Sequence, residues 1–84
     1  MIRFSACVTG DNQLEISNWR MINQIVRHNM PDDMIDDWVS DGYEGLFSAV
    51  PEYFGMNRMY RTETSHVAFE FTDEQWVLFL LRWA

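Results

Sequence analysis

Apolar and polar residues alternate along this chain with one of two periods, and the period changes from segment to segment. Ile2, Phe4, Ala6 and Val8 alternate with Arg3, Ser5 and Cys7, the pattern of a strand with one face inward. Thr9-Gly10-Asp11-Asn12 reads as a turn, and Gln13 to Ile16 as a short return strand. Ser17 then suits a helix cap. Trp19, Ile22, Ile25 and Val26 follow at helical spacing, with Met21 at the margin of that face. Pro31 disfavours helical geometry in Met30, so this helix should stop near His28 or Asn29. Pro31 itself suits the first position of a new helix, which Gly42 closes. Tyr43, Leu46, Phe47 and Val50 form a third short helical face, ended by Pro51, and residues 52–55 connect it onward with Tyr53 and Phe54 packed. Met56 to Thr62 reads as a strand, and Thr64-Ser65 turns it into Val67 to Phe71, giving a hairpin.

The last nineteen residues, 66–84, carry the clearest signal. Val67, Phe69 and Phe71 alternate with His66, Ala68 and Glu70. Thr72 then caps a helix, and Gln75 three residues on completes a capping box. Phe71 and Trp76 occupy the positions of a hydrophobic staple. Asp73 and Glu74 suit the positive end of the helix dipole and Arg82 the negative end. This helix is apolar nearly all round, through Trp76, Val77, Phe79, Leu80, Leu81 and Trp83, so it lies in the core or meets a partner. The order β-α-α-α-β-β-α predicts an α+β fold. Three to four strands form a small, mostly antiparallel sheet, with three to four helices over one face, in a single domain spanning 1–84.

Composition narrows the function. The chain has 84 residues, 48% of them apolar, which suits one packed core and argues against general disorder. The longest apolar run, Trp76 to Leu81, is six residues, where a membrane span needs about 20. The apolar part of M-I-R-F-S-A-C-V is too short for a secretory signal, so a cytoplasmic location is expected. The one cysteine, Cys7, cannot form an internal disulfide or a cysteine-based zinc site, and reads as a partly buried structural thiol.

Charge changes the picture most. Net charge is -7, and all six bases are arginine. Seven acids and no base lie between His28 and Arg58, while the rest of the chain balances six acids with six arginines. Asp32, Asp33, Asp36, Asp37 and Asp41 fall on one half of the second helix, and Met34, Ile35, Trp38 and Val39 on the other. The pairs Asp32/Asp36, Asp33/Asp37 and Asp37/Asp41 each cost a few tenths of a kcal/mol, about 0.2–0.5. The helix dipole offsets part of this, and Arg20 and Arg27 of the preceding helix are expected to offset more. Such a face is either a solvated surface or a docking surface for a basic partner. Carboxylates one turn apart stand roughly 6 Å apart, within a factor of two of phosphate spacing along a nucleic acid strand. A nucleic-acid mimic is therefore one form of the docking reading.

Other chemistries fit less well. Asp32-Asp33-Met34-Ile35-Asp36 matches the D-D-x-x-D pattern of isoprenoid synthases, but those are large all-helical enzymes. A calcium loop starting at Asp37 places Val39 and Ser48 where oxygen ligands are required. Cys7 with His28 or His66 would make a nucleophile and base with no local support. Gly10, Gly42, Gly45 and Gly55 are scattered rather than gathered in a phosphate loop. Arg58, Tyr60, Arg61 and Phe69 would make an RNA-stacking surface, against which the acidic total and the missing lysines argue. No catalytic residue, metal ligand or cofactor is assigned.

The tail E-F-T-D-E-Q-W-V-L-F-L-L-R-W-A, through Phe69, Phe71, Asp73, Glu74, Phe79, Leu81, Arg82 and Trp83, resembles the ends of small uncharacterised proteins common in tailed-phage genomes. The resemblance covers under a quarter of the chain and names no activity, but small acidic phage proteins often bind and inhibit host enzymes or defence systems, and the likeness points in that direction. The expected function is a non-enzymatic, phage-encoded inhibitor acting in the host cytoplasm. Asp32, Asp33, Asp36, Asp37, Asp41 and Glu44 would meet a basic host protein, with Tyr43 as an aromatic anchor. The alternative is a structural or assembly subunit, homo-oligomeric through Trp76, Phe79, Leu80 and Trp83, whose acids serve solubility.

Overall fold

The computed structural model of the chain describes residues 1–8, 10–39, 46–63 and 66–84, apart from the side chains of Asp37 and Val39. The elements run β1 (Ile2–Cys7), α1 (Gln13–Asn29), α2 (Asp32–Val39), α3 (Leu46–Phe54), β2 (Arg58–Glu63), β3 (His66–Phe71) and α4 (Asp73–Trp83). The fold is α+β in the expected order. Its three described strands form an antiparallel sheet of order β1-β3-β2.

Register fixes which side chains share a face. Phe4, Phe69 and Met59 lie across from one another in one row, as do Ala6, Val67 and Arg61 in another. On the opposite face Arg3, Glu70 and Arg58 form a row, then Ser5, Ala68 and Tyr60, then Cys7, His66 and Glu63 after a shift of register between Arg61 and Glu63. The hydrophobic core takes Ala6, Met59, Val67, Phe69 and Phe71 from the first face. It joins them to Ile22 and Val26 of α1, Trp38 of α2, Leu46, Val50 and Phe54 of α3, and Phe79 of α4. The helices therefore bury their apolar stripes against one side of the sheet.

The β3–α4 joint forms as its residues dictate. Thr72 accepts a hydrogen bond from the Gln75 amide (3.1 Å), and the Gln75 side chain accepts one from the Thr72 amide (2.9 Å). Phe71 meets Trp76 edge-on at 5.1 Å between ring centroids and Phe79 at 5.0 Å. At the other end of α4 the Asn29 amide nitrogen donates both to the Ile25 carbonyl of its own helix (2.8 Å) and to the Trp83 carbonyl (3.0 Å). This pins the last turns of α1 and α4 together.

Three local expectations are corrected. Residues 13–16 open α1 rather than forming a return strand, and the cap is Asn12, not Ser17. Asn12 accepts from the Glu15 amide (3.1 Å) and donates to the Glu15 carboxylate (2.8 Å), which satisfies amides that a strand would have paired elsewhere. Pro51 lies inside α3 instead of ending it. A proline removes one helical bond and crowds the preceding turn, but Leu46, Val50, Pro51 and Phe54 are all buried, and that packing outweighs the local penalty. The helix ends instead at Gly55, whose φ of +75° is the left-handed geometry glycine adopts without strain. Val8, expected inward, lies past the end of β1 and is exposed. Expectations for Thr9, for residues 40–45 and for Thr64-Ser65 lie outside the described residues.

Phe79 is 1% exposed and its ring meets Phe54, Phe71 and Trp76. Phe79→Ala should destabilise the protein by about 3–5 kcal/mol, and Thr72→Ala, which removes the cap, by about 1 kcal/mol. Urea unfolding should rank them in that order, and equal losses would contradict the packing described.

Candidate functional site

The acidic face of α2 is built from behind. Trp38 is 1% exposed, stacks on Trp19 at 5.6 Å between ring centroids, and donates from its indole nitrogen to the Asn23 side chain. Met34 and Ile35 pack against the core beside it. With that side fixed inward, Asp32, Asp33 and Asp36 stand exposed. None of them makes an ion pair or hydrogen bond among the described residues. Arg20 and Arg27, expected to compensate them, form no ion pair there either. Of the remaining residues expected at this surface, the Asp37 side chain, Asp41, Tyr43 and Glu44 lie outside the described residues.

A shallow groove of about 500 Å³ borders this helix, lined by Met34, Ala49, Glu52, Tyr53, Arg82 and Trp83. Tyr53 is 44% exposed, and its ring lies 5.6 Å from that of Trp83. Tyr53 was expected to pack in a connection. In the structure it lies in the last turn of α3 and offers an aromatic ring within the same groove as Met34 of α2. Once α3 continues through Pro51, Tyr53 lies at i+7 from Leu46 and i+3 from Val50, on the margin of the apolar stripe, so spacing alone does not mark it as exposed.

Two of the arginines, Arg3 and Arg58, meet away from α2. On the sheet face turned from the core, the Arg58 guanidinium lies 4.1 Å from the Tyr60 ring centroid and Arg3 5.8 Å from it. Glu70 sits between them, 4.0 Å from Arg58, and accepts a hydrogen bond from the Tyr60 hydroxyl (3.3 Å). The stacking surface weighed from sequence is not assembled: Phe69 is fully buried, and Arg61 belongs to the opposite row from Arg58 and Tyr60.

On α4, the residues expected to mediate self-association divide. Phe79 is buried and Trp76 and Trp83 are half-buried against the core, leaving Leu80 exposed. The apolar face that α4 presents outward is Val77, Leu78 and Leu81, the last 78% exposed. No helix among the described residues is long and apolar enough to cross a membrane.

Cys7 and His66 are direct cross-strand partners at the end of the sheet, and Glu15 reaches the same place from the first turn of α1. Their donor atoms lie within 4.8 Å of one another. Burial, and secondarily the Glu15 carboxylate, push the Cys7 thiol above its ordinary value. This is the reverse of what activates a nucleophilic cysteine, so the structure gives the thiol–imidazole pairing no catalytic support.

Comparison of the chain with protein-family models, with curated proteins and with solved structures finds no match. The functional reading therefore rests on the geometry above.

The Cys7 thiol should react slowly with an alkylating reagent in the native, chelator-treated protein and quickly once urea unfolds it. Because the folded thiol keeps its proton to higher pH than the unfolded one, unfolding releases a proton above about pH 9, the ordinary thiol value. Stability should therefore fall with rising pH there, and Cys7→Ala should show a shallower fall. A parallel pH profile for parent and variant would refute the assignment.

Proposed function

We propose that this chain is a non-enzymatic protein-binding module that docks a basic protein surface against α2 and blocks it. The observation that carries this reading is the exposure of Asp32, Asp33 and Asp36, without an ion-pair partner among the described residues, on a helix anchored from behind by Trp38. Unpaired like charges at this spacing cost stability when the protein is alone. A partner supplying arginine or lysine would turn that cost into attraction and speed encounter. The neighbouring groove adds a place for the apolar stem of such a side chain against Tyr53 and Trp83, in a lining that pairs the acid Glu52 with the base Arg82. The partner class that suits these features is a nucleic-acid-handling or defence protein of a host cell, with the carboxylates standing in for phosphates. The resemblance of the tail to tailed-phage accessory proteins supports the same class.

The exposed apolar strip of Val77, Leu78 and Leu81 favours a second reading, self-association through α4. Light scattering separates the two. An oligomer dispersed by Leu81→Asp would support the second reading, and a monomer would leave α2 as the working surface.

Asp32→Asn, Asp33→Asn and Asp36→Asn combined should leave the circular dichroism spectrum and the urea midpoint equal to or above those of the parent. The same variant should lose the partner captured from host lysate by the parent at low salt, and raising salt should release that partner from the parent. A partner held equally by parent and variant would overturn the assignment to α2.

A further inference from the structure

We propose that Cys7, Glu15 and His66 form a binding site for a divalent transition-metal ion of zinc's character. The three residues come from the last position of β1, the first turn of α1 and the first position of β3. They present one sulfur, one oxygen and one nitrogen, all within 4.8 Å of one another. Bond lengths of about 2.0–2.3 Å at tetrahedral angles place such donors roughly 3.3–3.6 Å apart, so closure around an ion needs about an ångström of movement.

Neighbouring contacts bear on Glu15 and His66. Asn12 donates to Oε1 of Glu15 (2.8 Å), and the other carboxylate oxygen, Oε2, is 3.9 Å from Nε2 of His66. That separation is within about an ångström of the spacing of two ligands on one ion. The other imidazole nitrogen, Nδ1, faces Oε2 of Glu63 at 4.0 Å. A ligating imidazole whose second nitrogen donates to a carboxylate is usual around zinc, and Glu63, beyond hydrogen-bond range here, would supply that contact by closing about an ångström. The mixed donor set excludes hard cations: magnesium and calcium take oxygen ligands, whereas thiolate and imidazole select zinc and its neighbours. On binding, the Cys7 S–H bond breaks, a sulfur–metal bond forms, and the proton passes to solvent. Thiolate and carboxylate then balance the charge of the ion. The fourth position falls to water on the side where the His66 and Glu15 side chains are 31% and 22% exposed. This site is independent of the α2 surface, whose described residues offer carboxylates alone.

Cobalt(II) and zinc(II) titrations of the chelator-treated protein test the site. Cobalt should bind with a thiolate-to-metal charge-transfer band, and zinc should displace it and raise the thermal midpoint. His66→Gln and Glu15→Gln should each weaken zinc binding by at least about tenfold, and Glu63→Gln, acting through the imidazole, by about 10–100-fold. Cys7→Ala should abolish the band. Should that variant fail to fold, His66→Gln, which leaves the buried thiol in place, decides the matter. The variant neutralised at Asp32, Asp33 and Asp36 should bind zinc like the parent. Absence of the charge-transfer band, zinc affinity indifferent to His66→Gln, or loss of binding in the neutralised α2 variant would each overturn the proposal.

Discussion

Burial of the inward row of β3 is the constraint on which the rest of this structure depends. Val67, Phe69 and Phe71 are 8%, 0% and 0% exposed, and their strand carries both ladders of the sheet. Phe69 reaches toward Trp19 of α1, while Phe71 meets Phe4, Trp76 and Phe79. One strand thus touches the other sheet elements by hydrogen bonds and the flanking helices by aromatic rings. The capping box at Thr72 then fixes the angle at which α4 leaves the strand, so that Phe79 falls onto the core and Leu81 does not.

Charge is arranged around that core with little internal cancellation on α2. Glu70 is set between Arg3 and Arg58 on the outer face of the sheet, and Glu15 and Glu63 flank His66 at its end. Asp32, Asp33 and Asp36 have no such neighbour among the described residues. The difference is one of topology. Register places opposite charges in adjacent strands directly across from one another, at separations of about 4.5–5.5 Å between Cβ atoms. A two-turn helix held from behind by a buried tryptophan leaves its described acids, Asp32, Asp33 and Asp36, exposed. Trp38, Met34 and Ile35 hold the inner side of α2 against the core, and Asp32, Asp33 and Asp36 face solvent on the other.

Much of the fold was legible. The period-two runs of β1 and β3, the apolar stripe of α1 and the two-sided pattern of α2 are each visible within a dozen residues, because burial on one face imposes a short repeat. Misreadings arose where two local rules competed. Asn12 and Ser17 are both good caps, and only the reciprocal bonding of Asn12 with Glu15 settles which one opens α1. Pro51 has a strong local tendency to end a helix, and the burial of Val50 and Phe54 on either side overrides it. In the candidate sites, the exposure of Asp32, Asp33 and Asp36 followed from helical period alone. The groove position of Tyr53 did not, since it depends on α3 persisting past a proline.

The sequence by itself determined the order of elements, the central role of the β3–α4 joint and the one-sided charge of α2, all of which follow from repeats and caps between residues close in the chain. Only the tertiary structure decided which residues of α4 remain exposed and that Cys7, Glu15 and His66 converge. Cys7 and Glu15 lie eight positions apart in the chain, and Glu15 and His66 fifty-one. No local period links positions so far apart. Their meeting is set by strand register, Cys7 opposite His66, and by the cap that starts α1 beside them.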